Sequence, residues 1–391
     1  MIHSNITLIL TLSLLIIGSP FIAKILRLPI PPVEIVLGSI FTYLGFIGHN
    51  EYFYLVAEVG FLYLMFLAGM EVDLKQITKS PKEIIHKSLL FLFFIVFFSV
   101  VSGLLFNLNT IIIISMPLIS IGLLASLSKT YGKTQPWIRL ALIAGVLGEV
   151  ASIAALTILD AAVVSTGGSF ELVLKIGYLL LFIVVIYFLY RAILLLFWWF
   201  PEFKKVLMPK LDTSDQKIRL SIALFFIMIA VMLSLELELA LGAFIAGVAI
   251  SAFFHHEKEL EEKMSSLGFG FLVPLFFIHV GSSFDLRALP LEGVVSGALL
   301  ITFLMLLSRI LAAITLKNIS GSRDALLIAL SLSMPLTLLV AVATIGYETK
   351  LLDLLSYYQL ILASIFEILL SMTIIKVLYK TRETSSLNKK L

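Results

Sequence analysis

The sequence has no cysteine, which removes disulfide frameworks, zinc ribbons and thiol chemistry from consideration. It is also poor in charge. Only 14% of its 391 residues are Asp, Glu, Lys or Arg, about half the share of an ordinary water-soluble domain. The formal net charge of +3 is too small to imply a nucleic-acid partner. In place of charge stands apolar surface: 60% of the residues are hydrophobic and the mean hydropathy is +1.10. A soluble chain of this length cannot hide so much apolar area, so the class that remains is an all-α integral membrane protein.

Runs of about 20 apolar residues are long enough to cross the hydrocarbon core as helices. Thirteen such segments are expected, near 6–23, 29–48, 53–72, 89–107, 110–128, 139–164, 172–199, 219–235, 239–254, 267–283, 293–316, 323–346 and 354–378. The first lacks the basic n-region of a signal peptide and is read as a helix. With thirteen helices and the N-terminus outside, 24 of the 28 basic residues fall on one side of the membrane, among them Lys24, Lys87, Lys129, Lys217, Lys263, Arg323 and Lys376. Lys175, Arg287 and Lys350 fall on the other side and Arg309 lies within a helix. Because cytoplasmic loops retain Lys and Arg, the C-terminus is expected inside, in a cell membrane such as a bacterial inner membrane.

A repeat directs attention to the middle of the membrane. Ser115-Met116-Pro117-Leu118 in the fifth segment returns as Ser333-Met334-Pro335-Leu336 in the twelfth, and the same offset of 218 residues carries Glu149 onto Glu367. A proline inside a helix removes a hydrogen bond and clashes with the preceding turn, so both segments are expected to be broken at Pro117 and Pro335. Residues 6–165 and 218–378 then form two inverted six-helix repeats joined by a linker helix at 172–200, with a short cytoplasmic tail at 379–391. Proline-interrupted helices paired in an inverted repeat point to a secondary transporter with a midplane site.

Charges at that depth are costly and few, so each needs a reason. Glu149 has mostly apolar neighbours on both sides and Ser152 three residues on. It is expected to bind a proton and a cation in competition, with Ser152 and Ser120 completing the ligands for Na+ or K+. The bland alternative is a carboxylate held by backbone amides of a broken helix. Glu367, flanked by Ser364 and Ser371, divides between a second titrating group and a structural acid. Arg309 keeps its proton in a protein and is expected to neutralise a core carboxylate. Asp160, Glu34, Glu58 and His279 are weaker candidates, and His255 and His256 open an acidic loop that reads as a solvated charge run. Gly242, Ala243, Ala246 and Gly247 have the small-residue spacing that lets membrane helices approach closely.

Ala240-Leu241-Gly242-Ala243-Phe244-Ile245-Ala246-Gly247 resembles the L-G-A-F-L-A-G motif of the monovalent cation:proton antiporter-2 family, which includes Kef-type and NapA-like transporters. Pro274-Leu275-Phe276-Phe277 with Gly281 resembles its P-L-F-F-x-x-x-G motif, and Phe66-Leu67-Ala68-Gly69-Met70-Glu71-Val72-Asp73 its F-L-x-G-L-E-x-D motif. Glu34 with Gly38 resembles the family's G-E-x-x-x-G. The resemblance implies a thirteen-helix fold, a dimerising panel beside a core with crossed broken helices, a homodimer, and Na+ (or K+)/H+ antiport without a cofactor. It carries the ion carboxylate onto Glu149, preceded here by Gly148 instead of the family's polar residue. It implies the transmembrane part only, without the nucleotide-binding regulatory domain of Kef-type members. A potassium efflux antiporter or channel of Kef type is the alternative expectation. An intramembrane enzyme would need clustered His and acid residues, and catalysis is not expected.

Overall fold

The computed structural model describes residues 2–26, 28, 30–48, 50–71, 81–132, 134–164, 215–235, 237, 239–254 and 258–387, with isolated positions between 177 and 202. The expected linker helix at 172–200, His255 and His256 therefore fall largely or wholly outside the described residues. Among the described residues every regular element is helical. In chain order these are α1 (Ile2–Leu26), α2 (Ile30–Tyr43), α3 (Glu51–Met70), α4 (Lys82–Leu105), α5 (Thr110–Ser115), α6 (Gly122–Tyr131) and α7 (Pro136–Val164). They continue as α8 (Gln216–Ser234), α9 (Leu239–Phe253), α10 (Lys258–Leu267), a π-helical turn Gly268–Leu272, and α11 (Val273–Ser282). After a 3-10 turn Leu286–Ala288, α12 (Val294–Ala312), a second 3-10 turn Ala313–Leu316 and α13 (Lys317–Ser320) come α14 (Ser322–Ser331), α15 (Leu336–Glu348) and α16 (Leu354–Leu387). Among the described residues eight helical stretches are long and apolar enough to cross a membrane, and Ile30–Tyr43, Leu239–Phe253 and Leu338–Tyr347 are shorter apolar helices.

Two compact units are formed. The first comprises Met1–Gly60, Lys79–Ser152 and Phe271–Leu391; the second comprises Phe61–Thr78 and Ile153–Gly270. In lipid there is no hydrophobic drive between helices, so association depends on close van der Waals fit and interhelical hydrogen bonds. The first unit shows both. At the crossing of α2 and α11 a Cβ on Gly38 would strike the Ile278 carbonyl, and one on Gly281 would strike the Ile35 carbonyl. Ser39 Oγ then donates across the contact to the Gly281 carbonyl at 2.8 Å. The second unit repeats the device with its own pair: a Cβ on Gly69 would meet the Phe244 carbonyl and one on Gly247 the Phe66 carbonyl. The motif glycines are thus contact points between backbones.

A methyl group at such a crossing must push two helices apart. Gly281→Ala is expected to cost about 1–3 kcal/mol by overpacking and to lower the thermal unfolding midpoint of the detergent-purified protein. Gly18→Ala, whose Cβ would meet nothing within 4 Å, should leave the midpoint unchanged or raise it. Equal midpoints for the two variants would contradict the close crossing.

The remainder of the first unit surrounds two helix interruptions. α12 packs on α4 and α16, with Ser99 Oγ donating to Ser308 Oγ at 3.3 Å and Thr302 Oγ1 to the Ala363 carbonyl at 3.2 Å. Asn109 caps α5 by accepting from the Ile111 N–H at 2.8 Å. α5 ends at Ser115, and the backbone is non-helical or turn-like through Pro117 until α6 begins at Gly122. α14 ends at Ser331 and α15 begins at Leu336, immediately after Pro335. Neither proline has an N–H to offer the preceding turn, so each interruption leaves backbone groups in need of other partners.

Candidate functional site

The orphan groups of the first interruption find their partners on α7 and α12. α7 reaches the break because Gly145 and Gly148 present no side chain. A Cβ on Gly148 would sit 2.9–3.0 Å from three atoms of the Ile119 side chain, and one on Gly145 would press on Ile121 and on Leu332 of the second interruption. Both interruptions therefore meet at one turn of α7, the turn before Glu149.

Glu149 is fully buried, with 0% of its surface exposed. Its Oε2 accepts from the Ile121 N–H at 2.7 Å, just where α6 begins. A carboxylate there also lies at the positive end of the α6 dipole. Ser120 is buried on the same stretch, its Oγ accepting from the Gly122 N–H at 3.4 Å. One turn on, Ser152 Oγ accepts from the Ile119 N–H at 2.8 Å. The other carboxylate oxygen, Glu149 Oε1, is buried and accepts no hydrogen bond from the described residues. Two partly opposed features follow. The amide bond to Oε2 favours the ionised carboxylate, while the bare, desolvated Oε1 calls for a positive partner, either a proton or a cation.

On the far side of the break stands an ion pair. Arg309 of α12 and Glu367 of α16 are both 0% exposed, with Arg309 Nη1 3.3 Å from Glu367 Oε1. Arg309 Nη2 donates to the Leu118 carbonyl at 2.7 Å, and Nη1 donates to the Met305 carbonyl at 3.1 Å. Among the described residues Glu367 accepts no hydrogen bond at either oxygen, and its compensation there is the Arg309 charge. Ser364 donates to the Ile361 carbonyl of its own helix, and Ser371 lies 3.5 Å from the carbonyl of Ser333 in the second interruption.

The expected residues divide cleanly. Glu149, Ser152, Ser120, Arg309 and Glu367 converge on the stretch from Leu118 to Ile121, with Pro117 at its start and Pro335 closing the second interruption. Glu34 lies elsewhere, accepting from Ser19 Oγ at 3.0 Å between α2 and α1. His279 packs against the rings of Phe53 and Tyr54, with centroids 5.2 and 5.5 Å away. Glu58 is half-buried on α3, and the side chain of Asp160 lies outside the described residues. Gly145 and the backbone groups of the break were not among the expected site residues. The only signal for the former was the G-x-x-G-E spacing ahead of Ser152.

Residues 9–381 match the family described as "Sodium/hydrogen exchanger, transmembrane", and the chain belongs to that family of multi-pass membrane proteins. It is similar to YjbQ of Bacillus subtilis (strain 168), 25% identical over 98% of this chain and 64% of the relative, so it spans less than two thirds of that protein's length. It is also similar to the Na(+)/H(+) antiporter of Enterococcus hirae, 25% identical over 86% of this chain and 88% of that one. In fold it resembles the sodium proton antiporter MjNhaP1 from Methanocaldococcus jannaschii, with a TM-score of 0.65 at 15% identity over 95% of this chain and 96% of the other.

Proposed function

We propose that the protein exchanges a monovalent cation, Na+ or K+, for H+ across a cell membrane, exposing Glu149 alternately to the two sides. The observation that carries this reading is the bare oxygen of a fully buried carboxylate, Glu149 Oε1, beside a helix break. A proton or a cation can satisfy that oxygen, and both cannot do so together. Ser120 and Ser152 offer the hydroxyl oxygens that a partly dehydrated monovalent cation takes as ligands. Membership of the sodium/hydrogen exchanger family and the antiporter names of the similar proteins support the same chemistry. Proton flux in proteoliposomes, with sodium, potassium or lithium supplied in turn, tests it. Flux driven by none of the three would refute the proposal.

One proton for one cation is the stoichiometry we infer. A second exchanged proton would need a second carboxylate free to titrate, and Glu367 is matched to Arg309. The position before Glu149 is Gly148, with Ile119 filling the space where a polar side chain would stand. Solid-supported membrane recordings are expected to show no sustained sodium-driven or potassium-driven current under conditions where proton flux is measurable. A sustained current would establish net charge movement and a second titrating group.

A further inference from the structure

The peptide unit joining Leu118 to Ile119 is held at both polar ends by side chains of different helices. Its carbonyl accepts from Arg309 Nη2 of α12 at 2.7 Å, and its N–H donates to Ser152 Oγ of α7 at 2.8 Å. Because a peptide is planar and trans, its C=O and N–H point in opposite directions, so fixing one end aims the other. Arg309 is itself oriented by the Met305 carbonyl and by Glu367. Two residues further along, the Ile121 N–H rests on Glu149 Oε2. The amides that rest on Ser152 and Glu149, and Ser120 between them, are therefore carried on one non-helical stretch of backbone whose orientation is set in part from outside.

We propose that Arg309 is a positioning residue for the cation site: by holding the Leu118 carbonyl it fixes the Leu118–Ile119 peptide, keeps the Ile119 N–H on Ser152, and so sets cation affinity at Glu149 without touching the cation. With the carbonyl held, one lone pair of the Ser152 hydroxyl is committed to the amide and the other remains for the cation. With the carbonyl released, the peptide can rock, the Ser152 hydroxyl can turn, and binding must first order both. A loss of affinity follows, while the carboxylate that carries proton or cation is unchanged. The proposal rests on the exchange function proposed above.

A double-mutant cycle tests it. Arg309→Lys keeps the charge but replaces the planar fork with a single ammonium, and Ser152→Ala removes the hydroxyl at the opposite end of the peptide. The hydrogen bonds of Arg309 go to Met305 and Leu118 and that of Ser152 to Ile119, so the two side chains communicate through the peptide. Each single variant is expected to raise the KM of proteoliposome exchange for the cation that drives it roughly tenfold, with a smaller effect on kcat. The double variant should raise KM only about as much as the larger single change, because the hydroxyl through which Arg309 acts is already gone. Independent effects, multiplying to roughly a hundredfold, would overturn the proposal. The cation-induced rise in thermal unfolding midpoint, measured on the same detergent-purified proteins, gives the cycle without flux and must show the same lack of additivity. Wild-type protein that neither exchanges nor is stabilised by any of the three cations would overturn both this proposal and the exchange reading. Exchange by wild type with additive variants would overturn this proposal alone.

Discussion

Replacing Glu149 by Gln is expected to abolish exchange while leaving the protein folded. Gln keeps the size of the side chain and an oxygen that can accept from the Ile121 N–H, which is 2.7 Å from Glu149 Oε2. It cannot bind a proton, and it cannot supply the negative charge that a dehydrated cation needs at a fully buried position. Proton flux in proteoliposomes should therefore fall to the level of empty vesicles for every cation. The thermal midpoint should change little, because no paired charge is broken. Glu149→Asp, which restores the charge one methylene shorter, should recover part of the flux with a higher KM. Exchange at normal rates in Glu149→Gln would show that the carrier group lies elsewhere.

The second large effect is expected at Glu367, and on stability before transport. Arg309 has 0% exposure, its counter-charge is Glu367 at 3.3 Å, and its remaining bonds are to two neutral carbonyls. Glu367→Gln leaves a buried guanidinium with no compensating charge, which typically costs about 3–5 kcal/mol. A fall of this size should appear as a strongly lowered unfolding midpoint and a reduced yield of folded protein. A neutral pair, Glu367→Gln with Arg309→Met, should recover much of the midpoint but not the affinity for cation, because the Leu118 carbonyl is then unheld. If Glu367 were a second proton carrier instead, Glu367→Gln would keep its stability and alter only charge movement. The two outcomes are separable in one purified sample by unfolding and by electrical recording.

Much of the candidate site could be read from the amino-acid order because lipid makes certain residues expensive. A proline or a charged side chain within an apolar run needs a reason, so Pro117, Pro335, Glu149, Arg309 and Glu367 stood out without any knowledge of their neighbours. The repeat at 218 residues tied them together. What could not be read was the pairing. Whether Glu367 titrates or balances a charge depends on Arg309, 58 positions earlier on another helix, and no local pattern encodes that contact. Amphipathic periodicity, which identifies the buried face of a helix in a soluble protein, is weak when the outer face is also apolar. The same limit hid Gly145, whose importance lies in touching Ile121 and Leu332 at once. The motif glycines Gly69, Gly247 and Gly281 were visible as a resemblance, but their physical role as reciprocal backbone contacts required the structure.

Competition for one carboxylate can be measured directly as protons released on cation binding. Isothermal titration of the purified protein with sodium or potassium, repeated in buffers of different ionisation enthalpy at a pH where the cation and proton forms are both populated, gives the number of protons displaced per cation bound. Glu149 as the shared site predicts a release that approaches one proton per cation as the pH is lowered, and no cation-linked release in Glu149→Gln. Cation binding to the wild-type protein with no proton released at any pH would contradict a shared carboxylate, and with it the exchange mechanism built on Glu149.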